Sequence, residues 1–182
     1  MTLATADAVM DFWFHEIPSK AWFQKSEAFD AEVAARFGAT LKAAVRGELW
    51  SWRQTPKGRL AEVIVIDQFS RNIYREKPAS FSNDPLALIL AQTAVQLGAD
   101  KDLEPDARAF LYMPYMHSES ALIHVEAVRL FSHPGLERNL DFELRHKAVI
   151  DRFGRFPHRN AILGRTSTPE ETAFLLTPGS SF

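Results

Sequence analysis

Apolar side chains recur three or four residues apart along almost the whole chain, and that spacing sets its class. Phe29, Val33, Phe37, Leu41 and Val45 form one such stripe. The strict alternation of a half-buried strand is missing. The β-branched run "VIVI" at 63–66 lies inside a helical pattern. The expectation is an all-α fold of about eight helices.

Punctuation residues set the boundaries. The first helix covers Asp7 to about Glu16 and stops before Pro18. The second follows an N-cap at Ser26 and reaches about Arg46, with Gly47 as its stop. The third opens at Pro56 and runs to about Tyr74. The fourth takes Asp84 as N-cap and Pro85 as its first helical residue, and ends at Gly98. A short helix near 105–112 precedes another from about Pro114 to Ser132, because proline breaks a helix interior. A long helix over 136–153 ends at Gly154. The last begins at "TSTPEE", where Thr168 caps, Pro169 leads and Glu171 completes a capping box. Short polar connections predict antiparallel helix hairpins.

The 182 residues predict a single domain, 1–182, with 177–182 an irregular tail. Aromatic residues make up 12% of the chain, so its core should be built on rings. Cysteine is absent, which removes disulfides and thiolate metal sites. The opening "MTLATADAV" has no basic stretch and meets an acid at Asp7, so no secretory signal is expected. No apolar run reaches the length of a membrane span. The cytoplasm is the expected location.

Charge is uneven. Residues 145–165 carry six Lys or Arg against the single acid Asp151, a local +5 in a chain of −2, which leaves −7 elsewhere. Such a segment either complements acidic protein surface or binds an anion.

Polar residues on apolar stripes carry the functional signal, since buried polar groups need partners. In the third helix, Leu60, Val63, Ile64, Asp67 and Arg71 share a stripe, with Arg71 one turn from Asp67. Gln68 and Asn72 form a second polar pair beside them. In "YMPYMHSESALIHVEAVRLF", His117, Ala121, His124, Val128 and Phe131 read as one helical stripe. The two histidines are seven residues apart, about 10.5 Å along a helix, too far to share a metal ion. His117 and Glu119 are placed near the start of that helix. In "DRFGRFPHRNAILGRTSTPEE", Arg152, Arg155, His158 and Arg159 surround a stiff Phe156-Pro157 turn, and guanidinium forks suit carboxylates and phosphates.

The stretches "RLAEVIVIDQFSRNIYR", "MPYMHSE" and "RHKAVIDRFGRFPHRNAILGRTSTPEE" together resemble the bacterial family known as domain of unknown function 924, over about residue 8 to 182. Ser70 stands where that family usually has proline, which implies a local change in helix curvature. The resemblance implies a tetratricopeptide-like superhelix. It brings no reaction and no cofactor with it.

The functional expectation is a polar central site for a small phosphate or carboxylate compound, with hydrolysis or transfer as the natural reaction class. Asp67, His117, Glu119 and His158 are the candidate catalytic groups, and Arg71, Asn72, Arg152, Arg155 and Arg159 the candidate ligand-binding groups. A peptide-binding scaffold without catalysis is the alternative, with a peptide or protein partner. A third account has the same motifs only lock helices together. Neither nucleic acid nor membrane is expected as a partner, no metal site is expected, and no cofactor is assigned.

Overall fold

Aromatic residues from the first third of the chain anchor the packing. Phe12 and Trp13 leave the first helix through a wider turn over Phe12–Glu16, and both are fully buried. Phe12 meets Phe37 at 4.9 Å between ring centroids, Phe37 meets Phe69 at 4.8 Å, and Trp13 meets Phe110 at 5.4 Å. Each such ring contributes about 1.5–3 kcal/mol by leaving water.

A computed structural model of the protein describes residues 3–181. Its helices are α1 (Ala6–Asp11), α2 (Glu27–Val45), α3 (Pro56–Ile73), α4 (Asp84–Gln96), α5 (Pro105–Met116), α6 (Ala121–Phe131), α7 (Glu137–Phe153) and α8 (Pro169–Leu175). Short 3-10 turns join several of them, and no strand occurs among the described residues. Residues 176–179 form turns and a bend, and 180–181 have no regular structure. Met1 and Thr2, from the stretch read above for a leader, and Phe182, the end of the expected tail, lie outside the described residues. No described helix is long and apolar enough to cross a membrane.

Each helix from α2 to α7 packs on the next, and α1, α3, α5 and α7 also touch in series. α3 therefore has α1, α2, α4 and α5 around it. This explains why nearly every residue from Leu60 to Ser70 is buried, and why the "VIVI" run is helical: burial on all sides overrides the strand preference of β-branched residues. Gly58 is required at the start of α3, because a Cβ there would lie 2.0 Å from the Trp52 carbonyl oxygen. Gly154 ends α7 in the left-handed region, at φ 69°. A smaller apolar cluster of Val149, Ile150 and Phe156, flanked by Phe153 and Phe174, holds the C-terminal segment together.

Two boundaries differ from the sequence expectation. α5 runs through Pro114 to Met116, and α6 starts only at Ala121. Pro114 removes a hydrogen bond in the last turns alone, while Ala109 to Met116 is buried and keeps the helix wound. His117, Ser118 and Glu119 are consequently the connection between helices, and His117 does not share a stripe with His124. In α4, Asn83 takes the N-cap position and Asp84 lies within the first turn.

Candidate functional site

The residues of interest meet where α3, the start of α4, the end of α5 and the 156–165 segment come together. Asp67 is 1% exposed, and its Oδ1 faces both Arg71 Nη1 at 3.0 Å and His117 Nδ1 at 2.9 Å. Arg71 Nη2 donates to Asp84 Oδ2 at 3.0 Å. Arg159 Nη1 donates to the same oxygen at 3.1 Å, and Arg159 Nη2 donates to the His117 carbonyl oxygen at 3.0 Å. The path Asp67, Arg71, Asp84, Arg159, His117 thus closes on itself. It ties α3 to α4, to the α5–α6 connection and to the C-terminal segment. Gln68 Nε2 donates to Asp67 Oδ2 at 2.6 Å, which fixes the second carboxylate oxygen.

The electrostatics of this ring follow from burial and neighbours. Burial alone would raise the pKa of Asp67; the Arg71 charge and the hydrogen bonds from His117 and Gln68 outweigh it and hold the carboxyl well below the usual range. For His117, burial and then the Arg71 charge lower the pKa, against the pull of Asp67. His117 is therefore neutral at pH 7. An ionised Asp67 only accepts, so His117 Nδ1 carries the proton and Nε2 keeps its lone pair. Arg159 is pushed down to about 10, first by burial and then by Arg71, and stays charged at neutral pH. Its guanidinium lies between the rings of Phe81 at 4.5 Å and Phe156 at 4.7 Å.

A pocket of about 480 Å³ opens beside the ring. Asp84, His117, Glu119 and Arg159 supply its charged or titratable wall, Ser82, Ser118 and Ser120 its hydroxyls, and Phe81, Leu88 and Ile123 part of its apolar wall. Ser120, the N-cap of α6, makes no side-chain cap bond.

The other candidates are placed differently. Glu119 lines the pocket, yet both of its oxygens are engaged. Arg165 Nη1 donates to Oε2 at 2.6 Å, and the Phe156 amide donates to Oε1 at 2.7 Å. Burial opposes ionisation of Glu119, but Arg165 and the amide hold its pKa below the usual range. It braces the loop. Arg155 forms a two-point pair with Glu171 at 2.6 and 2.7 Å and also donates to the Thr166 carbonyl oxygen. Arg152 is half-exposed and pairs with Glu170 at 2.8 Å. Neither Arg152 nor Arg155 lines the pocket. Asn72 pairs with Asp30 on α2 at 2.8 Å and not with Gln68. His158 packs its ring against Phe156 at 5.6 Å, outside the pocket lining.

His124 and Glu143 are fully buried and meet at 2.7 Å, and His124 Nε2 lies 2.8 Å from the Ser118 carbonyl oxygen. This pair supports the α5–α6 connection from behind. Asp84 was read only as a helix cap and Phe81 was not a site candidate, because their role here depends on partners far away along the chain. Among the described residues no group of His, Asp and Glu is arranged to hold a metal ion.

Comparison with known proteins places the chain among bacterial sequences. The profile of a family described as "Bacterial protein of unknown function (DUF924)" matches residues 9–179. No curated protein matches the chain. A solved structure of a protein of unknown function from Agrobacterium tumefaciens is similar, with 38% sequence identity and a TM-score of 0.89, over 94% of this chain and 96% of that one.

Proposed function

The chain belongs to the bacterial family of unknown function DUF924, and from that premise we propose that its pocket binds a small phosphate- or carboxylate-bearing molecule, with His117 as proton acceptor in a hydrolysis or transfer. The observation that carries this reading is the Asp67–His117 pair at the pocket wall. The 2.9 Å contact at Nδ1 orients the ring and leaves a basic Nε2 for a substrate or water proton. Arg159, charged and anchored against two rings, supplies positive potential at the same wall. Asp67 and Arg71 position His117, and Asp84 positions both arginines. Arg152, Arg155 and Asn72 have no part in this reading, because protein oxygens already hold them away from the pocket.

A thermal-shift screen of phosphorylated and carboxylated metabolites tests it. A ligand at a hundred-fold excess over its Kd stabilises the folded state by about 2.7 kcal/mol, a rise of several degrees in Tm for a chain of this length. The His117→Gln variant should keep binding and lose turnover. No shift with any phosphate or carboxylate at millimolar concentration would sink the reading.

A further inference from the structure

Resting on that pocket reading, we propose that the ligand carries a hydroxyl group beside its anionic group, donated to one of two unused acceptors, Asp84 Oδ1 or His117 Nε2. The class is a small hydroxy acid or a phosphorylated polyol.

The protein leaves hydrogen-bonding capacity unused at this wall. Asp84 Oδ2 takes a bond from Arg71 and another from Arg159, whereas no protein donor meets its Oδ1 among the described residues. His117 spends Nδ1 on Asp67, and no protein donor meets Nε2. Both residues line the pocket, and both are fixed by one guanidinium: Arg159 holds Asp84 through Nη1 and the His117 backbone through Nη2. The wall therefore presents two unused acceptors, and a ligand that fits brings a donor. A cationic donor is disfavoured, because two guanidiniums already lie within 3.1 Å of Asp84 and a third positive charge would meet both. A neutral hydroxyl satisfies one of the acceptors without that cost. Ser82, Ser118 and Ser120 add rotatable hydroxyls, and Phe81, Leu88 and Ile123 take the carbon skeleton. A volume of about 480 Å³ suits a small metabolite.

The test is titration calorimetry on the intact protein at neutral pH with matched ligands. The sets are malate, succinate and methoxysuccinate, and glycerol and glycerol 3-phosphate with propyl phosphate. The hydroxylated member should bind on the order of ten-fold tighter than its deoxy partner, as expected for a hydrogen bond to a charged acceptor. Methoxysuccinate, which can accept but not donate, should fall back to the affinity of succinate. Equal affinities of malate and succinate, or methoxysuccinate binding as tightly as malate, overturn the inference and leave the anion reading standing. Glycerol binding as tightly as glycerol 3-phosphate keeps the hydroxyl inference and removes the anion reading. No binding by any of these ligands at millimolar concentration overturns both.

Discussion

Asp67 decides where the proton of His117 sits. Its carboxylate accepts from Nδ1, so the Nδ1–H tautomer should dominate at pH 7. Nitrogen-15 NMR of the imidazole reads this directly: the Nε2 resonance should show a lone pair, and an Nε2–H signal would refute the assignment. Asp67→Ala leaves Arg71 and His117 without their buried partner, and should cost about 3–5 kcal/mol in urea denaturation. The Asp67–Arg71 contact was legible in the sequence because residues four apart share a helix face. Asp84 was not, since Arg159 lies 75 positions away and no local pattern encodes that approach. Arg152 and Arg155 looked like ligand groups from their place around the stiff Phe156-Pro157 turn. Their partners Glu170 and Glu171 lie on the following helix, which the sequence shows as a capping box but not as a docking face.

Helix boundaries were legible where a backbone requirement marks them. The box at Thr168 and Glu171 is formed as expected, with both reciprocal bonds present. Thr168→Ala should lower stability by about 1 kcal/mol, measured as a shift in denaturation midpoint at constant m. The start of α3 is less tolerant. Gly58→Ala forces a methyl group to 2.0 Å from the Trp52 carbonyl oxygen, where backbone must move, so Tm should drop sharply or soluble protein should fail to appear. The break between α5 and α6 was misplaced because the rule for proline is local, whereas packing around residues 109–116 is not. That misplacement set His117 on the wrong surface. Its pairing with Asp67 follows from the connection between the helices.

Across the molecule, the histidines make folding sensitive to acid. Burial first, with neighbouring charges, lowers the pKa of His146 to about 3 and of His158 to about 4, against an ordinary 6.5. His146 feels His117, His124 and His158, and His158 feels Arg159, Glu119, His117 and Arg165. Below about pH 6.5 the unfolded chain takes up protons that the folded chain refuses. Stability is therefore full above that pH and drains as the pH falls toward 4 and then 3, at up to about 1.4 kcal/mol per pH unit for each histidine. Calorimetric Tm values between pH 7.5 and 4 should show the slope, and a flat profile would contradict the burial of these rings. The all-α class was legible from periodicity. A shared polar site was expected from the motifs, but which groups meet there was not legible, because that depends on long-range closure by Arg159 and Glu119. The pocket draws on two distant stretches of chain. Most of its lining falls between Pro78 and Ile123, but the guanidinium that closes it, and the brace that Arg165 gives Glu119, belong to the segment after α7. A polypeptide cut off before Arg159 would lack the clasp that pins the His117 backbone, however well its earlier helices wound.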